Sequence, residues 1–144
     1  MNKGLDITKD KKFKKETFEE EINTDTSTYK YKEVINLTYH NNLKEIESGL
    51  SFPMSPTGTA RVEKRNIVIH HDPRGFSIEK TEYGEISGLD LDNIDPEKLY
   101  IVSVVVLNAL HSKGIFLDNI VCPAESIRDR NNNVIANKGF RING

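Results

Sequence analysis

The sequence predicts an α+β domain, mainly β, with a predominantly antiparallel sheet and one or two short helices. Three observations carry this. Val34–His40 alternates apolar and polar residues with a period of two, as a half-buried strand does. Turn-forming clusters such as Asn41-Asn42, Ser48-Gly49, Pro53–Gly58, Asp72–Gly75 and Arg130–Asn133 cut the chain into pieces suited to short strands. The longest nearly unbroken apolar run, Tyr100–Leu110, is too short for a bilayer, which needs about 20 apolar residues, and so belongs to a core.

Residues 1–32 differ from the rest and read as a charged N-terminal arm ahead of a compact domain over residues 33–144. Lysines at 9, 11, 12, 14 and 15 precede glutamates at 16, 19, 20 and 21, and a polar run follows from Asn23 to Thr28. Phe18 and Ile22 offer only a weak apolar stripe, which suits a solvated arm or one that docks on a neighbouring subunit or partner.

In Val34–His40, Ile35, Leu37 and Tyr39 face one side and Asn36, Thr38 and His40 the other. Short strands are expected over Leu43–Glu47 and Leu50–Phe52, then over Thr59–Glu63 and Asn66–His71. Asp72-Pro73-Arg74-Gly75 is a tight turn, because proline presets φ and glycine admits positive φ. A strand over Phe76–Ile86 follows, and then a loop over Gly88–Glu97. In the apolar run, Ile101 and Val102 favour a strand, whereas Ser103 is a good helix N-cap ahead of two apolar turns. The expectation is a buried strand, Leu99–Val102, feeding a buried helix, Ser103–Ser112; one ten-residue central strand is the alternative. Val102, Val105 or Val106, and Leu107 are the expected core. Ile115–Val121 reads as a strand or extended segment ending at Pro123. A terminal hairpin is expected to turn at Arg130–Asn133, since asparagine tolerates left-handed backbone.

Composition narrows the function. With 20 basic and 22 acidic residues the net charge is −2, which argues against a dedicated nucleic-acid binder. One cysteine, Cys122, cannot form an intrachain disulfide and fits a reducing compartment. No apolar stretch follows the N-terminal lysines as a signal peptide would, so a soluble cytosolic protein with no membrane segment is expected.

Several segments taken together resemble a known group: Asn36–His40, Ser55–Val62, Tyr83–Leu89, Tyr100–Ser103 and Ile127–Asp129. They are similar to a family of small uncharacterised proteins of phages and prophage-carrying bacteria. Its members share an Asn-Leu-Thr-Pro-His opening strand, a Pro-Ser-Gly turn before Ala-Arg-Val, a Gly-Glu-Val-x-Gly-Leu-Pro segment and a Tyr-Ile-Val-Ser run. They close with Arg-Asp-x-x-Gly. The resemblance covers roughly residues 34–142. Tyr39 and Asp90 stand where the family prefers proline, and Asn132 or Asn133 where it prefers glycine. The resemblance implies a phage origin, hence the host cytoplasm or the virion, and no particular reaction.

Chemistry-bearing patterns are sparse. Cys122 lies between Val121 and Pro123 and reads as a small buried apolar group, not an activated thiolate. His70 and His71 are adjacent on a strand and point to opposite faces, and no metal-ligand spacing or cofactor fingerprint occurs. The polar stripe Asn36–Thr38–His40 is either an ordinary solvated face or a pocket wall that reads a ligand through directional hydrogen bonds. Thr57, in the hydroxyl-rich Ser55–Thr59 turn, with Arg61 two residues beyond that turn, suits an anion, as do Ser103 at a helix N-terminus and Arg128 beside Asp129. Asn36, Thr38, His40, Thr57, Arg61, Ser103 and Arg128 are therefore the candidate ligand-binding residues. They suit a non-enzymatic, sponge-like protein, often a homo-oligomer, that needs no cofactor and sequesters a small anionic, nucleotide-like molecule. A structural or assembly protein of a phage particle is the alternative, followed by an enzyme acting on nucleotides or ADP-ribose with His40 or Glu85 as acid–base.

Overall fold

The structure is a computed structural model and describes residues 28–144. The expected arm thus lies mostly outside the described residues. Eight strands and one α-helix follow in the order β1 (Glu33–Asn36), β2 (Asn42–Lys44), β3 (Ser51–Pro53), β4 (Arg61–His71), β5 (Ser77–Ser87), β6 (Lys98–Ile101), α1 (Val104–Ser112), β7 (Ile120–Arg128) and β8 (Val134–Arg141). A 3-10 turn, Leu91–Asn93, interrupts the loop before β6.

The central sheet has the order β1-β6-β7-β8. β7–β8, β2–β3 and β4–β5 are antiparallel, whereas β1–β6 and β6–β7 are parallel. The parallel step is possible because α1 fills the crossover from β6 to β7. The apolar run is therefore a strand and then a helix: Ser103 sits between them, and its hydroxyl accepts the Val106 N–H at 3.3 Å.

Both faces of the sheet are covered. On one, Tyr100, Ile120 and Cys122 pack with Val102, Val106, Leu107 and Leu110, closed by Leu37, Ala60 and Leu89. On the other, Ile101 and Val121 meet Leu43, with Phe52 and Phe140 beside them. Alternation along β6 and β7 assigns the residues to the two faces, as a period of two requires.

Three expectations need correction. The strand expected over Val34–His40 ends at Asn36, and Thr38, Tyr39 and His40 form a turn. The two strands expected over Thr59–Glu63 and Asn66–His71 are one continuous β4. The strand expected over Ile115–Val121 begins only at Ile120, and β7 does not end at Pro123 but runs through it to Arg128. The reason is positional. Val102 N–H donates to the Val121 carbonyl, so Val121, and two residues later Pro123, face the β6 side. β6 pairs only as far as Val121, so Pro123 stands past the last paired residue of that edge, where a missing N–H interrupts no β6–β7 pair.

Asn36 explains the early end of β1. Its Oδ1 accepts from the Thr38 N–H at 2.9 Å and the Thr38 hydroxyl at 2.6 Å. Its Nδ2 donates to the carbonyls of His40 and Phe52, both at 2.9 Å. One buried amide thus turns the chain and ties it to β3.

Glu45 performs a similar task beyond β2. Its carboxylate is 5% exposed and accepts from the N–H groups of Glu47, Ser48 and Gly139 and from the Ser48 hydroxyl. Burial pulls its pKa up, but these four bonds outweigh burial and hold it below the usual carboxylate value. A carboxylate with a lowered folded-state pKa stabilises the fold above its unfolded value, and the contribution is lost as pH falls through the folded value. Glu45→Ala should cost about 1–3 kcal/mol at neutral pH. In urea melts, its difference from wild type should shrink as pH drops through the lower carboxylate range. A difference independent of pH would contradict the charged arrangement.

Candidate functional site

Where β1 gives way to its turn, α1 begins and β7–β8 passes beneath, a cavity of about 310 Å³ opens. Its apolar wall includes Leu43, Pro123 and Ala136, and its polar groups include Thr38, His40, Ser103, Asn137 and Arg141. Ser103 and Val104 bring the first turn of α1 to this wall, where a helix presents N–H groups without intrahelical acceptors and the positive end of its dipole. Arg141 adds a cation from the end of β8, opposite Cys122. Among the described residues no carboxylate lies within ion-pair distance of Arg141.

Asn137 is the unusual member. It is 2% exposed, and its Nδ2 donates to the Gly139 carbonyl at 2.8 Å, which fixes the amide orientation. Its Oδ1 is buried and has no hydrogen-bond partner among the described residues. An unpartnered buried acceptor costs about 1–3 kcal/mol, and here it belongs to a residue of the cavity wall.

The seven candidate residues divide among several places. Thr38, His40 and Ser103 do line this one cavity. Thr38 is only 4% exposed, however, and its hydroxyl is spent on Asn36 Oδ1, while the Ser103 hydroxyl caps α1. His40 is exposed. Asn36 and Thr57 line a separate groove with Glu33 and Asp90. The Asn36 amide is fully engaged there by its own fold, and Thr57 pairs its hydroxyl with Ser55 at 2.8 Å. Arg61 lies over the Tyr39 ring, 5.4 Å from its centroid, in a third concavity with Glu63 and Glu85. Arg128 donates to the Asn132 carbonyl at 2.9 Å and belongs to the β7–β8 turn.

The polar stripe is thus not a strand face. Its first two residues look inward because the turn buries them, which alternation alone does not foresee. Asn137 and Arg141 are the members that sequence reasoning did not select. Asparagine in the middle of a strand is a signal for the first, since strands disfavour it.

Cys122 is fully buried, and burial pushes its thiol pKa up against the pull of Arg141. It is a core residue. Among the described residues no group of three histidine, cysteine, aspartate or glutamate side chains could hold a metal ion, and no helix is long and apolar enough to cross a membrane. Comparisons with protein-family models, with curated proteins and with solved structures return no match.

Proposed function

We propose that the chain is a non-enzymatic binding protein that captures a small anionic, nucleotide-like molecule in the cavity between α1 and β7–β8. The observation that carries this reading is that Asn137, whose Oδ1 is buried and unpartnered among the described residues, lines one cavity with the α1 N-terminus and Arg141. The helix end and the guanidinium suit a phosphate or other anion. The Leu43, Pro123 and Ala136 wall suits a flat ring, and Asn137 suits an N–H or O–H donor on the same ligand. Among the described residues His40 is the one imidazole on this wall, and no carboxylate lines it as an acid–base partner.

The resemblance to phage and prophage proteins supplies the setting. In the host cytoplasm such a protein would act as a sponge for a signalling nucleotide of host defence, holding it without chemical change. A second reading, an assembly protein of a phage particle, draws on the long β4–β5 hairpin, whose outer half exposes apolar side chains.

Incubating the purified protein with a mixture of linear and cyclic nucleotides, removing free ligand and analysing what is retained tests the first reading. One component should be retained and released intact on denaturation, and its retention should fall as salt rises. A component returned chemically altered would replace binding with catalysis; no retention of any nucleotide would remove the reading.

A further inference from the structure

β4 and β5 each run for eleven residues and pair only with each other among the described residues. Their base reaches the core through Val62 and Ile86, but the outer half is solvated: Ile69 is 57% exposed, Phe76 49% and Ile78 46%. Two-stranded ribbons are marginal in water by themselves, and long unpaired edges invite further strands. The two edges differ in charge. β4 carries Arg61, Lys64 and Arg65 against Glu63, whereas β5 carries Glu79, Glu82 and Glu85 against Lys80.

We infer that this hairpin is an assembly surface for a second copy of the chain, with the β5 edge of one copy pairing with the β4 edge of the next. Pairing β4 with β4, or β5 with β5, sets like charges opposite one another, which cross-strand neighbours disfavour. Pairing β5 with β4 sets carboxylates beside cations, as Arg65 and Glu82 already lie within the hairpin at 3.2 Å. Between the two register shifts, Lys64–Val68 and Glu79–Tyr83 form an unbroken ladder that can accept a neighbouring strand at either edge. Ile69 and Ile78 gain cross-strand neighbours in the same step. The contact is head-to-tail, so it generates a ring or a filament and not a twofold dimer. It is independent of the cavity and of what the cavity holds.

Size-exclusion chromatography with light scattering on the full chain, across concentration and salt, tests this. Wild type should form species larger than dimers at low salt and dissociate as salt rises. Lys64→Glu and Glu79→Lys change residues that make no ion pair within the hairpin among the described residues. Each should weaken association about tenfold, and an equimolar mixture of the two should regain it. If either substitution lowers the melting temperature, the salt dependence of wild-type association decides instead. A monomer at every concentration, association indifferent to salt, an assembly that both variants retain, or folded variants whose mixture stays dissociated would each overturn the inference.

Discussion

Leu107→Ala should lower the unfolding free energy by about 2–5 kcal/mol, as removing a buried leucine does when the surroundings relax only partly. Leu107 is 1% exposed and lies on the face of α1 that covers Tyr100, Ile120 and Cys122. This helix fills the crossover that allows β6 and β7 to run parallel, so the loss is felt by the whole central sheet. Urea melts at neutral pH measure it. A loss below about half a kcal/mol would be a surface-like effect and would mean that α1 is not the core helix.

Asn36→Ala should cost on the order of 3 kcal/mol or more. The substitution leaves the Thr38 N–H and hydroxyl without their acceptor and the His40 and Phe52 carbonyls without their donor. Asn36 is 1% exposed, so water cannot easily replace the amide. Asn36→Asp is the sharper variant. The carboxylate keeps an acceptor for Thr38 but faces two carbonyls with no hydrogen to offer, and it should also be strongly destabilised. Thermal melts of both variants test the network; an aspartate variant as stable as wild type would show that the donor half does not hold the turn to β3.

The sequence was most legible where a residue type marks a boundary in the backbone. Ser103 following β-branched Ile101 and Val102 marked the change from strand to helix, and the serine hydroxyl caps α1 as expected. Asp72–Gly75 and the asparagine-rich tip also turn where read; Asn132 has φ of 67°, the left-handed backbone that asparagine tolerates. The parallel pairs β1–β6 and β6–β7 were not legible, because period-two alternation says which face a residue takes but not which strand lies beside it. The turn within the Asn36–Thr38–His40 stripe was not legible for a related reason. Asn36 and Thr38 have the residue types of a ligand-reading wall, yet their hydrogen bonds close on each other within two residues. Asn137 escaped notice because its importance comes from β8 packing beside the turn at Glu45 and from the cavity above it, a conjunction made only by the fold.

Calorimetric titration of the retained nucleotide into wild type, Arg141→Ala and Arg61→Ala tests the location of the binding site most directly. Arg141 lines the cavity with Asn137, whereas Arg61 stacks over Tyr39 in a different concavity. Removing a guanidinium from a charge-assisted contact costs about 1.5–3 kcal/mol, roughly ten- to hundredfold in affinity. The predicted result is that Arg141→Ala loses that much, while Arg61→Ala binds like wild type. Wild-type affinity in Arg141→Ala together with loss in Arg61→Ala would contradict the account and move the site to the concavity that Arg61 lines with Glu63 and Glu85.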